Sequence, residues 1–240
     1  MKKINKKDNA LKKEKIKRRP FFRFFKTMTR VFVKKPKIVC LDDTIDNGSI
    51  FLCNHVGATG PFTLEYYFPR NFRFWGTFEM TMGFKERWKY MAYKEFPNMR
   101  HNGKFMSKVK ASFVAPFSKM FYKGLQLIPT YPDGRLKTTL ETSMNELNNN
   151  NNIIIFPEDI SKGYFDVLKS YFAGFWLLAK QYFQKFKRDI KIYNMYLKRK
   201  PRTLIIDKGI KVSELINKNL SKEQIAEIFK DRANELAKLY

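Results

Sequence analysis

The hydrophobic positions of this chain follow two patterns: short apolar runs bounded by turn residues, and longer stretches with apolar residues every three or four positions. The short runs are typical of buried strands and predict strands over residues 37–41, 49–53, 73–77, 125–129, 153–156, 191–196 and 203–206. The longer stretches predict helices over residues 61–68, 79–96, 104–123, 136–147, 167–186 and 221–239. Strands that alternate with helices indicate the α/β class, here a single domain in which helices flank a central mixed, mainly parallel sheet.

Positive charge is concentrated at the beginning of the chain. The 240 residues contain 48 Lys and Arg against 22 Asp and Glu, a formal net charge of +26. Residues 1–38 hold 16 of those cations and only 2 of the acids. Such an excess favours an anionic partner: nucleic acid, an anionic membrane surface or a phosphorylated ligand. We therefore divide the chain into a basic tail (1–19), an amphipathic membrane-contact helix (20–36) and the α/β domain (37–240).

The segment 20–36 has a pattern that suits a membrane surface. It places Phe21, Phe25, Met28 and Phe32 at helical spacing, with basic residues between them. Basic amphipathic helices insert aromatic side chains at a lipid interface while Lys and Arg meet the head groups. The same apolar face also suits packing against the core of the domain, and periodicity does not distinguish the two. Both interpretations are open at this point.

Cysteine content and hydropathy argue against several classes of protein. Cys40 and Cys53 have no Cys or His at zinc-ligand spacing, so we expect two reduced thiols and no bound metal or cofactor. No apolar stretch follows the charged N-terminus as it does in a signal peptide. The best apolar run, at residues 172–179, is far shorter than the roughly 18 residues of a membrane-spanning helix. If the protein meets a membrane, we expect it to be peripheral.

Polar residues follow two of the predicted buried strands. Asn54 and His55 directly follow the second strand, and Pro157, Glu158 and Asp159 follow the fifth. Ligands of α/β sheets bind beyond the carboxyl ends of the strands. A neutral imidazole at this place is able to take a proton from a substrate hydroxyl, and a carboxylate is able to hold a polar ligand. The alternatives are a hydrogen-bonded structural histidine and a carboxylate that caps the next helix.

Three segments, in this order, resemble motifs of the glycerolipid (lysophospholipid) acyltransferases. Residues 54–61, NHVGATGP, resemble the first motif of that family, which is Asn-His, four further residues and Asp. Residues 124–131, followed by a turn and a helix, are similar to its second motif region. Residues 154–161, IIFPEDIS, are similar to its Phe-Pro-Glu-Gly motif. The likeness extends over roughly residues 20–238.

The resemblance implies an enzyme that transfers a fatty acyl group to a lysophospholipid hydroxyl in phospholipid synthesis. The implied acyl donor is a thioester of coenzyme A or acyl carrier protein, and His55 would be the general base. The residues implied to bind the substrates are Asn54, Gly57, Thr59, Arg135, Pro157, Glu158, Asp159 and Lys162. The implied partners are the lysophospholipid, the thioester and an anionic membrane surface, with the protein peripheral on the cytoplasmic face of the cell membrane. No nucleic acid is expected.

Four positions depart from the pattern of that family. Gly60 stands where the family has the Asp that orients the histidine, and Thr130 where its second motif has Arg. Asp159 and Ser161 stand where Gly and often Arg occur in the third motif. Loss of an orienting carboxylate costs on the order of 10⁴ in rate in a serine-hydrolase triad.

These departures leave three functions open. In a divergent acyltransferase, another group orients His55; Glu65, Glu79 and Asp159 are candidates, although none has the spacing of the family. In a catalytically impaired homologue only lipid and membrane binding is retained, and Gly60→Asp is expected to raise activity. A basic nucleic-acid-binding protein is the third, but no zinc finger or single-strand-binding sheet motif accompanies the charge. We expect the divergent acyltransferase.

Overall fold

The computed structural model describes residues 18, 20–57, 59–97, 103–159 and 165–239. The basic tail, apart from Arg18, and the predicted substrate-binding residue Lys162 lie outside these ranges. The strands are β1 Lys37–Cys40, β2 Ile50–Cys53, β3 Phe72–Thr77, β4 Ile128–Thr130, β5 Asn152–Ile155, β6 Lys191–Lys198, β7 Thr203–Ile206 and β8 Ile210–Lys211. The α-helices are α1 Pro20–Thr29, α2 Thr59–Tyr67, α3 Phe84–Tyr90, α4 Lys104–Leu125, α5 Leu136–Asn148, α6 Gly174–Phe186, α7 Val212–Asn217 and α8 Lys222–Lys238.

The strands form one sheet in the order β1-β7-β6-β2-β5-β3-β4, with β8 beside β6. Neighbouring strands are parallel, except that β6 runs antiparallel to β7 and β8. The predicted α/β class, with a mixed and mainly parallel sheet flanked by helices, is confirmed. In register, Leu52 of β2 lies beside Ile155 of β5 and Asn194 of β6. The carboxyl ends of these three central strands therefore meet at one edge of the sheet.

Strand β2 shows why the sheet is buried on both faces. All four of its residues are buried, and alternate side chains point to opposite faces of a strand. Ile50 and Leu52 join the apolar cluster that contains residues of α6 and α8. Phe51 and Cys53 join a second cluster with Phe68 of the α2–β3 connection. An uninterrupted apolar run is the sequence pattern of such a strand.

Some predicted boundaries are wrong for identifiable reasons. The helix predicted over 167–186 begins only at Gly174, because Tyr171 instead forms an antiparallel bridge with Glu158. The helix predicted over 79–96 is divided into a 3₁₀ turn, α3 and a π-turn at Met91–Glu95. The last helix begins as expected, since Ser221 and Gln224 form a reciprocal capping box.

The N-terminal segment is not one helix over 20–36. Helix α1 ends at Thr29 and a 3₁₀ turn, Arg30–Phe32, follows. One side of α1 packs on the domain: Phe22 is buried and lies so close to α4 that a Cβ added to Gly124 would sit 2.5 Å from the Cβ of Phe22. The other side leaves the apolar side chains Phe24 and Met28 exposed. Among the described helices, none combines the length and hydropathy needed to cross a bilayer.

Candidate active site

The strand ends bring His55 and Glu158 together. The main-chain N–H of His55 donates to Oε1 of Glu158 over 2.6 Å. The register of β2 with β5 produces this contact, because Leu52 lies beside Ile155. His55 is three positions beyond Leu52, and Glu158 is three positions beyond Ile155. Two polar segments that are 103 residues apart in the chain therefore form one site.

Burial governs the ionisation of both side chains. It lowers the pKa of His55 to about 4, although hydrogen bonds to the main chain at His55 and Gly57 act in the opposite direction. Burial raises the pKa of Glu158 to about 7, against the lowering effects of the His55 N–H and of the positive charge on Arg199. At neutral pH the imidazole is therefore neutral, the form able to accept a proton. Its low proton affinity limits its strength as a base.

The imidazole of His55 is held within an aromatic wall. Its ring centroid lies 4.7 Å from that of Phe156, in a tilted arrangement, and its Nδ1 is sealed from solvent. Phe156 in turn stacks on Phe74 of β3 at 5.7 Å. In the acyltransferase pattern a carboxylate orients the histidine ring. Here the packing against Phe156 fixes the direction of the ring instead.

The main chain closes over Gly60. Val56 and Gly57 have positive φ angles of 33° and 60°, and the loop turns back so that the N–H of Gly60 donates to Gly57 over 3.3 Å. A Cβ added to Gly60 would lie 2.8 Å from the carbonyl oxygen of His55, which is closer than side chains tolerate. An aspartate therefore does not fit at position 60 unless the loop moves. This close approach counts against the expectation that Gly60→Asp raises activity, which stays a prediction.

Two of the carboxylates considered as substitutes are engaged elsewhere. Glu65, on α2, forms ion pairs with Arg18 and Lys26, each with 2.9 Å between the nitrogen and a carboxylate oxygen. The side chains of Arg18 and Glu65 are almost fully buried. Glu79 binds Lys94 at 2.9 Å and accepts a hydrogen bond from Thr77. We call Arg18, Lys26 and Glu65 the N-terminal anchor, because these contacts fasten the start of the described chain to α2.

The structure places the residues predicted to bind substrate in different positions relative to the cavity. Pro157, Glu158 and Asp159 line a cavity of about 1460 Å³ together with His55. Asn54 is buried, and its amide pairs with both main-chain groups of Leu197 on β6, at 3.1 and 2.6 Å. That pairing gives Asn54 a positioning role at the sheet edge.

Three other predicted residues lie beside the cavity or at its margin. Gly57 forms the turn between His55 and α2, and Thr59 is the exposed first residue of that helix. Arg135 forms an ion pair with Asp133 at 2.7 Å and stacks over Tyr131, with 4.4 Å between guanidinium carbon and ring centroid. Tyr131 lines the cavity, so Arg135 supports its wall from outside.

The cavity is large and mainly apolar. Its volume exceeds the roughly 300–1,000 Å³ of most small-molecule sites. Aromatic side chains from several elements form the wall, among them Phe62, Phe74, Trp75, Phe117 and Phe121. Such a space suits a long apolar chain. Phe172 and Phe175 also line it, and Phe175 is part of the core as well.

Helix α4 exposes the side that most helices bury. Its buried residues are mainly small: Ser107, Ala111, Ala115, Ser118, Gly124 and Leu125. Phe105, Phe113 and Phe117 are 78, 74 and 70 % exposed. The helix contains five lysines and no acid. Contiguous exposed apolar surface of this kind marks an interaction site. We call the exposed residues Phe105, Met106, Phe113, Val114, Phe117 and Met120 the α4 face.

The comparisons with known proteins leave the family undetermined. No protein-family model matches the chain, and no curated protein is significantly similar to it in sequence. Within the described ranges, no three His, Cys, Asp or Glu side chains come together as a metal site requires.

Proposed function

We propose that this protein transfers a fatty acyl group from an acyl thioester of coenzyme A or acyl carrier protein to the hydroxyl of a lysophospholipid. One observation carries the proposal: His55 and Glu158 lie in contact in the wall of a cavity large enough for a long apolar chain. The resemblance of residues 54–61 and 154–161 to acyltransferase motifs agrees with it.

The chemistry needs one base and no bound cofactor. The neutral imidazole of His55 takes the proton of the acceptor hydroxyl, and the oxygen attacks the thioester carbonyl carbon. The tetrahedral intermediate collapses, the carbon–sulfur bond breaks, and the departing sulfur takes the proton back from the imidazolium. The products are an ester and a free thiol. An ionised Glu158 stabilises the imidazolium by its charge, since its carboxylate lies at the backbone of the same residue.

An anionic membrane surface is the proposed partner. The α4 face and the exposed side of α1 are aromatic and apolar, and α4 carries only basic charge. Phe113 and Phe117 belong both to this face and to the cavity wall, so the cavity opens beside it. A peripheral protein on the cytoplasmic face of the cell membrane would then receive its lipid directly from the bilayer.

A lipid-binding protein without turnover is the second candidate function. Two observations favour it: the backbone excludes a carboxylate at position 60, and burial leaves His55 a weak base. This candidate keeps the cavity and the membrane partner and removes only the acyl transfer.

Thiol release measured on the purified full chain separates the candidates. With an acyl thioester and lysophosphatidic acid on anionic vesicles, we expect thiol to appear only when both substrates are present. His55→Ala should abolish the release, while His101→Ala, at the only other histidine, should not. Vesicle binding without thiol release supports the second candidate. Preference for an oligonucleotide over vesicles at matched salt contradicts both.

A further inference from the structure

A run of cations lies at the same sheet edge as His55. The β6–β7 hairpin reads Lys198-Arg199-Lys200-Pro201-Arg202, four cations in five residues. Strand β6 is the parallel neighbour of β2, so the hairpin begins where the His55 loop begins.

Hydrogen bonds to two residues, Asn54 and Thr63, fix the hairpin against the site. Leu197, the residue before the run, pairs with the side chain of Asn54 through both its N–H and its carbonyl group. Arg202 donates to the hydroxyl of Thr63 on α2. The charge of Arg199 is close enough to Glu158 to act on its ionisation. The run therefore lies beside the His55 loop, although none of its residues lines the cavity itself.

A second basic segment extends the same edge. Lys34, Lys35 and Lys37 lie immediately before or within the start of β1. Lys37 is in register with Thr203, which is in register with Lys198 across the hairpin. Strand β1 is three strand spacings from β2 and β6 is one. Because neighbouring strands lie about 4.8 Å apart, Lys37 is roughly 14 Å from β2, whereas Lys198 lies on the strand next to β2. We call these residues the basic edge: Lys34, Lys35, Lys37, Lys198, Arg199, Lys200 and Arg202.

Four cations of the basic edge, Lys34, Lys35, Arg199 and Lys200, form no salt bridge with a described residue. Neither of the two segments of the edge contains an acid. All four cations are exposed. Like charges held on one edge repel each other, and an anion placed among them relieves that repulsion.

We propose that the basic edge binds the phosphate groups of the ligand whose reacting end lies at His55. The inference rests on the proposed function for the identity of that ligand: a phosphate ester, either the head group of the lipid acceptor or the nucleotide of the thioester carrier. It moves phosphate recognition away from Arg135, since the charge of that residue is already paired with Asp133. Arg199 and Lys200 make the central contacts, and Lys34 and Lys35 extend the site for a second phosphate group.

Calorimetric titration of the full chain tests the proposal with three probes. Glycerol 3-phosphate represents the lipid head group, adenosine 3′,5′-bisphosphate the nucleotide of the carrier, and inorganic phosphate the bare anion. We expect Arg199→Ser/Lys200→Ser to weaken binding of at least one ester about tenfold, which corresponds to about 1.4 kcal/mol. The probe that loses most identifies which substrate uses the edge.

A matched variant controls for net charge. Lys208→Ser/Lys218→Ser also removes two exposed charges, and both lysines lie in connections away from the β6–β7 hairpin. We expect it to change binding less than twofold. Equal losses in the two double variants, or no loss in Arg199→Ser/Lys200→Ser, would overturn the proposal.

Binding and turnover fail independently. If phosphate binding depends on Arg199 and Lys200 but the protein releases no thiol, the result supports the basic edge and contradicts acyl transfer. If Arg199→Ser/Lys200→Ser still releases thiol with an unchanged KM for both substrates, the result supports the enzyme and contradicts the role of the basic edge. Tighter binding of a single-stranded oligonucleotide than of every small phosphate probe would assign the edge to nucleic acid, against the proposal.

Discussion

The carboxylate of Glu158 binds the backbone of His55, with 2.6 Å between Oε1 and the main-chain nitrogen. Glu158, which lies three positions beyond the end of β5, thus positions the loop after β2. The direction of the His55 ring is set by Phe156 and the main chain. This differs from a carboxylate–imidazole pair, in which the acid acts on the ring itself.

Glu158→Ala should move this loop, and Glu158→Gln should not. Glutamine keeps an oxygen that accepts from the His55 N–H, whereas alanine leaves that donor without its partner. We expect Glu158→Ala to lower the free energy of unfolding by about 1–3 kcal/mol. Urea denaturation followed by circular dichroism measures the difference. Equal stability of the two variants would show that the hydrogen bond does not hold the loop.

Substitution of Gly60 should destabilise the protein without improving catalysis. Any side chain brings a Cβ to 2.8 Å from the carbonyl oxygen of His55, so Gly60→Ala and Gly60→Asp both force the loop to shift. We expect a loss of about 1–3 kcal/mol in thermal or urea unfolding. Gly134→Asp is the control, because no atom lies within 4 Å of a Cβ added there. Increased thiol release by Gly60→Asp at unchanged stability would contradict this prediction.

Glu65→Gln should release α1. The change leaves the buried guanidinium of Arg18 and the ammonium of Lys26 without their counter-charge, which costs on the order of 3–5 kcal/mol in other proteins. Limited proteolysis should then cut between residues 18 and 33 faster than in the unaltered protein. The exposed pair of Lys137 and Glu141 provides the control, since Glu141→Gln should cost less than about 0.5 kcal/mol.

An independent variant displaces the same helix. Gly124→Ala puts a Cβ 2.5 Å from the Cβ of Phe22 while the N-terminal anchor stays intact. Faster cleavage in Gly124→Ala as well would assign the effect to loss of α1 docking. Unchanged cleavage in both variants would show that α1 is held by other contacts.

Phe113→Ser/Phe117→Ser should weaken binding to anionic vesicles. Each phenylalanine that leaves water contributes about 1.5–3 kcal/mol, so loss of both should lower the partition coefficient by about 100-fold or more. Vesicle co-sedimentation at two salt concentrations measures it, and the loss should persist at high salt. Val167→Ser/Ile228→Ser removes two exposed apolar side chains outside α4 and should have little effect. If the α4 face instead joins two copies of the chain, the variant changes the oligomeric state and leaves partitioning unaltered.

Glu95→Gln should flatten the dependence of stability on pH. Burial raises the pKa of this cavity-wall carboxyl to about 7, while the hydrogen bond from Tyr122 opposes the shift. In the unfolded chain the carboxyl of Glu95 has a pKa near 4.5, so the folded state binds its proton more tightly than the unfolded state does. The folded state therefore loses stability as the pH rises from about 4.5 to 7. The full shift corresponds to about 3 kcal/mol.

Unfolding at several pH values between 4 and 8 checks the sign. Stability should fall with rising pH in the unaltered protein and fall less in Glu95→Gln. Glu158 is shifted in the same direction, so Glu95→Gln/Glu158→Gln should be flatter still. The exposed Glu223 serves as control: a hydrogen bond to its own main chain lowers its pKa, so Glu223→Gln should keep the original slope above about pH 5.5. A slope unchanged by Glu95→Gln would show that its carboxyl ionises freely.

The pairing of His55 with Glu158 was predictable because it follows from local patterns. Apolar runs identify β2 and β5, parallel strands share a carboxyl edge, and the polar residues after each run must therefore meet. The same reasoning did not predict the bridge between Glu158 and Tyr171, since the apolar spacing of 167–173 also fits a helix. A tertiary main-chain contact decided the conformation there.

Contacts across long sequence separations were not predictable. Nothing near Glu65 indicates that Arg18 lies against it, and the spacing of α4 does not show which side faces the domain. That helix buries mainly small residues and exposes three of its four phenylalanines, the reverse of the usual pattern. The cations at 198–202 are adjacent in the sequence, but only the strand order places them beside His55.

The N-terminal anchor also sets an order of events during synthesis. Arg18 donates to the carbonyl oxygen of Leu125, 107 residues further along the chain. At a translation rate of about 5–20 residues per second, this acceptor is made about 5 to 20 seconds after Arg18. Helix α1 therefore leaves the ribosome well before its docking site exists, with its basic and phenylalanine-rich surface uncovered. A nascent chain would be able to meet a lipid surface during that interval, before the domain that it serves has folded.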